Sequence, residues 1–182
     1  MKLWLVRHAR PLVEAGVCYG ATDMAADEQA TLASAQALAR VLPQGLRVIS
    51  SPLQRCEQLA LSLCGLRPDL MLTRDARLAE MDFGCWEGQR WSDIPKAELD
   101  AWTADFFTLR FGGRESVQAF MQRVAAALAD TTPLAQELVW ITHAGVIRAV
   151  SLQAQGVVSI DRADQWPQAA PAWGEWSEAQ FD

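Results

Sequence analysis

Two short apolar runs, each ending in a histidine, constrain this chain more than anything else in its 182 residues. The first is Leu3-Trp4-Leu5-Val6, followed by Arg7-His8-Ala9-Arg10-Pro11. The second is Leu138-Val139-Trp140-Ile141-Thr142, followed by His143-Ala144-Gly145. Continuous apolar runs of this length, backed by turn formers, read as buried strands. Pro11 cannot donate to a ladder, so the first strand stops before it. His8 and His143 are the only two histidines in the chain, so both sit at equivalent strand ends. In a parallel sheet both reach the carboxyl edge, where such sheets place their ligands. Taken alone, the first motif is a strand end with a solvated basic cap. Its recurrence at His143 favours a shared site.

The segments between supply the rest of an α/β pattern. Residues 27–42 read as a helix, with Leu32, Ala35, Leu38, Ala39 and Leu42 on one face and Pro43 and Gly45 closing it. Residues 46–49 form a second strand. Ser51-Pro52 then opens a helix, with Pro at the first helical position and Leu59, Ala60, Leu63 and Cys64 facing inward. Residues 70–73 are a third strand. A helix over 115–130, capped by Ser116, buries Val117, Phe120, Met121, Val124 and Leu128. It leads through Thr132-Pro133 to the strand 137–142 and a helix 144–154. The tail, 155–182, reads as an irregular crossover and one edge strand. No repeat or linker divides the chain, so one domain over 1–182 is expected.

Composition bounds the function. The chain is 51% hydrophobic and 21% charged, as in a globular protein. With 16 basic and 22 acidic residues its net charge is −6, which argues against nucleic acid as a partner. Cys18, Cys56, Cys64 and Cys85 form neither a CxxC pair nor a zinc spacing, and read as reduced thiols of a cytoplasmic protein. The first apolar run is too short for a signal peptide or a membrane span.

The chemistry gathers in the turns. An imidazole between two guanidinium groups suits a phosphate ester: the cations neutralise the substrate while the ring attacks. Arg55 falls in the first turn of its helix, where unpaired amides also attract anions; it is either a surface arginine or a phosphate ligand. Its strand-turn-helix setting favours the ligand. Thr22, in the loop after the first strand, either offers its hydroxyl to a phosphate or caps the next helix, the second being favoured. Glu80 lies in the irregular stretch 77–88 between Ala79 and Met81. Partial desolvation there would raise its pKa and let it donate a proton; otherwise it is a surface charge. Asp82 and Glu87 compete for the role. Trp86, Trp91, Trp102, Phe106, Phe107 and Phe111 crowd residues 86–111. They form either a cap that selects flat apolar groups or a hydrophobic satellite.

Arg7-His8, Ser51-Pro52-Leu53-Gln54-Arg55, Glu80 and Thr142-His143-Ala144-Gly145 occur in an order that resembles the histidine phosphatase (phosphoglycerate mutase-like) superfamily. The phrase from Val17 to Asp23, and the tail phrases at Trp166-Pro167 and Ala172-Trp173-Gly174, resemble its α-ribazole phosphatase branch, which acts in cobalamin biosynthesis. The resemblance implies a three-layer α/β/α sandwich with a mostly parallel central sheet. It implies a phosphomonoester hydrolase acting on a small phosphorylated metabolite, with α-ribazole phosphate as a candidate. His8 would become phosphorylated; Arg7, Arg55 and a protonated His143 would hold the phosphoryl oxygens. Thr22 and Ala144 join the substrate-binding set, and Glu80 would serve as acid and then base. No metal and no cofactor are implied. Three departures stand out. Ala9 replaces the usual Gly after the nucleophile, which requires a negative φ there. Glu14 stands where many members have a phosphate-donating Asn. A Pro-Leu-Thr phrase is missing between Asp23 and Gln36.

Three further readings remain. A phosphoglycerate mutase is disfavoured by the short chain. An inactive, partner-binding phosphatase fold is disfavoured because all five charged positions are filled. A two-histidine metal site has no fixed carboxylate spacing to support it.

Overall fold

Alternation along the strands decides the layers. In β1 (Lys2–Arg7) Leu3 and Leu5 point to one side, Trp4 and Val6 to the other, and all four are buried. In β4 (Glu137–Thr142) Leu138 and Trp140 oppose Val139 and Ile141 in the same way. Both faces of the central strands are therefore covered, as parallel sheets require. The computed structural model describes residues 1–131 and 137–181, so the Thr132-Pro133 link lies outside the described residues.

Five strands form one sheet in the order β3-β2-β4-β1-β5, with β2 (Arg47–Ser50), β3 (Met71–Arg74) and β5 (Trp176–Gln180) completing the set. All pairings are parallel except that of β5 with β1. Helices α1 (Glu28–Val41) and α2 (Gln54–Leu66) cover one face, where Ala35, Leu38, Leu59 and Leu63 meet Trp4, Val6, Val48 and Val139. Helices α4 (Val117–Thr131) and α5 (Ala144–Ala154) cover the other, where Phe120, Val124, Ile147 and Val150 meet Leu3, Leu5 and Trp140. Each such fully buried aliphatic side chain contributes about 1.5–3 kcal/mol over its exposed state. The three-layer sandwich with a mostly parallel sheet is thus present. The remaining helix, α3 (Lys96–Ala104), lies within the aromatic segment.

Local chemistry moves some boundaries. Asp27, not Thr22, caps α1, accepting from the Ala30 amide at 2.8 Å. Leu32 on that helix is exposed, and Thr31 takes the buried position instead. Helix α2 begins at Gln54 rather than Pro52. Its first amide is met by Asp23 from a distant loop at 2.7 Å. Ser116 does cap α4, its hydroxyl accepting from Ala119. All four cysteines are free.

Candidate active site

β1 and β4 are neighbours in parallel register, with Arg7 opposite Thr142. The ladder continues one step: the His8 amide donates to the Thr142 carbonyl at 3.0 Å. The next residue on each strand is therefore a histidine, and the two rings lie 5.1 Å apart at 58°.

The His8 ring is 2% exposed, and its Nδ1 lies 2.7 Å from the Ala9 carbonyl oxygen. A carbonyl only accepts, so Nδ1 carries the proton and Nε2 keeps its lone pair. Burial drives the His8 pKa down to about 3, and the positive charges of Arg55 and Arg7 add to this against the pull of the Ala9 bond. The ring is neutral at physiological pH. Ala9 has the negative φ its side chain needs, for no non-glycine described residue has a positive one.

Arg55 is fully buried. Its two terminal nitrogens donate to the carbonyls of Thr22 at 2.8 Å and Gly20 at 2.6 Å, and the guanidinium stacks over Tyr19. Arg7 donates to the Pro171 carbonyl at 3.0 Å and lies over Trp173. Burial lowers its pKa, opposed by Tyr19 and Glu80. Among the described residues neither arginine forms an ion pair, and the Nε of each is buried without a partner. Arg55 is fully buried and Arg7 partly so, and cations that lie out of water without an ion pair are costly unless an anion arrives.

His143 is enclosed on all sides. Its Nε2 lies 2.9 Å from the Ser51 hydroxyl and 3.4 Å from the Cys56 sulfur, and that thiol also reaches the Thr142 carbonyl at 3.5 Å. Burial, then Arg55 and His8, push its pKa well down. The expected protonated His143 is therefore corrected: in the unliganded protein it is neutral, because an imidazolium there would be desolvated beside other cations.

Glu80 is carried on a clamped loop. Arg123 donates to the carbonyls of Arg77 and Ala79, both at 2.7 Å, and of Glu80 at 2.9 Å. The Thr142 hydroxyl donates to the Leu78 carbonyl from the sheet side at 2.7 Å. The Glu80 carboxylate then meets the N-terminus of α5, accepting from Gly145 at 3.0 Å. A Cβ on Gly145 would stand 2.2 Å from Glu80 Oε1, so only glycine admits this approach. Ala144 is the buried first residue of the same helix, which has no side-chain cap.

Thr22 fits neither expected role. Its hydroxyl and amide both donate to Glu87, and it serves Arg55 through its carbonyl. Glu87 is occupied by four donors and is no rival acid. Glu14 is exposed and pairs with Arg90. Residues 86–111 stack on one another, Trp102 on Phe111 at 4.3 Å, and also face the site. Trp91, Trp102, Phe106, Phe120 and Trp166 line a cavity of about 300 Å³ that Glu80 and Arg148 also border.

Sequence reasoning missed Arg148 and the closure of the tail onto the first strand. Arg148 is the lone charge in the otherwise uncharged helix α5, and that signal was available. The tail closes on the first strand: the Gly174 amide donates to the His8 carbonyl at 3.0 Å and the Arg7 amide to that of Glu175 at 2.9 Å. These bonds span most of the chain and leave no local trace. Among the described residues no group of three or more His, Cys, Asp or Glu is placed to hold a metal ion. No helix among them is long and apolar enough to cross a membrane.

Comparison with known proteins addresses the family and the fold. A chain from Hydrogenobacter thermophilus named "Putative phosphoserine phosphatase 2" is 30% identical over 165 residues, covering 86% of this chain and 79% of that one. A structure titled "putative alpha-ribazole-5'-P phosphatase" from Escherichia coli superposes with a TM-score of 0.81 at 25% identity, covering 98% and 89% of the two chains. TTHB049 from Thermus thermophilus gives 0.73 at 30% identity, covering 98% and 92%. The profile of the histidine phosphatase superfamily (branch 1) matches residues 3–179, and the chain belongs to that family.

Proposed function

We propose that the chain hydrolyses phosphomonoesters through a phosphohistidine on His8. The observation that carries this is the buried neutral His8 ring, its proton held on Nδ1 by Ala9, beside two arginines with no anionic partner. Nε2 attacks phosphorus, and the ester O–P bond breaks. Glu80 in its acid form protonates the departing alkoxide. As the P–N bond forms the ring becomes cationic, and the Ala9 carbonyl stabilises it through Nδ1–H. Glu80, now a carboxylate, deprotonates water. The water oxygen attacks phosphorus, the P–N bond breaks, and inorganic phosphate leaves. Arg7, Arg55 and the Ala144 amide hold the phosphoryl oxygens, and His143 joins them once the substrate's charge arrives. Phosphoryl transfer consists mainly of such positioning and charge neutralisation, and this route uses no metal.

For the substrate, the names of the relatives point to phosphoserine and α-ribazole 5'-phosphate. We favour a phosphate ester bearing a flat group, α-ribazole phosphate among them. The cavity beside Glu80 is walled by Trp91, Trp102, Phe106 and Trp166, which stack on planar rings. With that substrate the chain would work in cobalamin biosynthesis in the cytoplasm. Incubation with p-nitrophenyl phosphate and a chelator tests the reaction; turnover is expected. Rates on α-ribazole phosphate, phosphoserine and 3-phosphoglycerate test the substrate; a preference for either carboxylate-bearing ester would overturn the flat-group reading.

A further inference from the structure

Glu87 follows the short turn Gly84–Trp86, and two backbone bonds clasp its neighbourhood to the first loop: Gly88 to the Cys18 carbonyl at 2.9 Å, and Cys18 to that of Gln89 at 2.7 Å. Its Oε1 accepts from the amides of Ala21 at 2.8 Å and Phe83 at 2.9 Å. Its Oε2 accepts from the amide and hydroxyl of Thr22. On the far side of the same loop, the carbonyls of Gly20 and Thr22 accept from Arg55. The Gly20 carbonyl and the Ala21 amide belong to one peptide unit, whose trans geometry points them in opposite directions. One peptide therefore stands between carboxylate and guanidinium with its dipole aligned to both, an arrangement in which each bond polarises the next. The loop fits tightly, since a Cβ on Gly20 would lie 1.8 Å from the Met81 carbonyl oxygen.

We infer that Glu87 is a positioning residue that fixes Arg55 for the phosphoryl group through the Gly20-Ala21-Thr22 backbone. The inference rests on the phosphatase reading above. A direct Glu–Arg ion pair would compete with substrate for the guanidinium. A carboxylate one peptide away orients the arginine and leaves its anion-binding side uncompensated. Burial alone would raise the Glu87 pKa, but the Thr22 hydroxyl and the three amides outweigh it and hold the carboxyl below its ordinary value. The charge is thus present throughout the neutral range.

The test compares wild type, Glu87→Gln, Arg55→Lys and the double variant, by calorimetric binding of inorganic phosphate and by turnover of p-nitrophenyl phosphate. Glu87→Gln turns an NH₂ group toward donors. It should weaken phosphate binding and lower kcat/KM by about 10- to 100-fold. In the Arg55→Lys background, where the ammonium cannot span both carbonyls, the same change should cost under about 3-fold. A merely structural role would slow both backgrounds equally, and that result, or wild-type phosphate binding by Glu87→Gln, overturns the inference. If Glu87→Gln does not fold, Thr22→Val replaces it. Loss of one donor should weaken binding about 3- to 10-fold in the wild-type background and leave binding unchanged in the Arg55→Lys background; equal losses overturn the inference. A wild-type protein that neither binds phosphate nor turns over the ester brings down the phosphatase reading itself, a failure visible before any substitution is made.

Discussion

His8 and His143 end adjacent strands in register, yet their environments make them chemical opposites. His8 spends Nδ1 on a backbone carbonyl one residue away and keeps Nε2. His143 has Nε2 against Ser51 and Cys56, residues contributed by the turn and helix after β2. Strand position delivers both imidazoles to one place. The partner of one ring nitrogen then decides what the other can do. Two identical side chains in equivalent backbone settings can thus serve as a nucleophile and as a fixed wall of the anion pocket.

The sharpest way to break that contrast is to remove each ring in turn. His8→Ala should lower kcat by about 10⁴–10⁶-fold, as loss of a nucleophile does. His143→Ala should cost about 10²–10³-fold, as loss of a preorganised stabilising group does. A base-stable phosphoprotein should be trapped in wild type and His143→Ala but not in His8→Ala. Equal losses, or a label that survives His8→Ala, would erase the difference. Arg55 is the next largest, because its charge acts on both rings. Arg55→Ala should weaken transition-state binding by about 3–5 kcal/mol, the cost of losing a desolvated charge from an anion site. A loss under tenfold in kcat/KM would place the phosphate elsewhere.

Glu80 sharpens the comparison from the leaving-group side, since it lies against the helix that His143 begins. An alkoxide needs a proton as the O–P bond breaks; a nitrophenolate does not. Glu80→Gln should slow an alkyl phosphate about 10²–10⁴-fold more than p-nitrophenyl phosphate in single-turnover phosphorylation. Equal slowing would leave Glu80 a binding role only. The same substitution in Asp82, whose side chain bonds the Gly84 amide, should leave that ratio unchanged.

What could be read from the chain beforehand follows the range of the interactions involved. The strand ends and the helix 144–154 were legible because apolar runs and Gly or Pro punctuation are local signals, and His8 and His143 came with them. Arg55 was legible from its place in the first turn of a helix. Thr22 was misread because its partner, Glu87, lies 65 residues away. The start of α2 was misplaced because its capping carboxylate, Asp23, comes from another loop. The charge on His143 was misjudged because full burial is a property of packing from both faces of the sheet. Leu32 shows the limit of periodicity: it fits the helical stripe but points past the edge of the core.

The smallest expected effect tests the charge states on which the contrast rests. An unfolded histidine titrates near 6.5, whereas folded His8 holds its neutral form down to about 3 and His143 is also shifted well down. Below pH 6.5 the unfolded chain therefore binds protons that the folded chain refuses. Stability is full above that pH and falls as the solution is acidified toward the folded values. Between pH 7 and 5 the loss should be about 2 kcal/mol for His8, at 1.4 kcal/mol per unit below 6.5, and His143 should add to it in the same direction. Carboxyls whose pKa is lowered, such as Asp75 and Glu87, lose their contribution only at lower pH, so this window belongs to the histidines. Urea unfolding at pH 7, 6 and 5 in phosphate-free buffer measures the loss. His8→Gln should remove about 2 kcal/mol of it, and His143→Gln should reduce it further. A protein as stable at pH 5 as at pH 7 would mean that the folded rings titrate like those of the unfolded chain. Burial would then hold neither ring neutral in acid, and the charge states on which the contrast rests would fail.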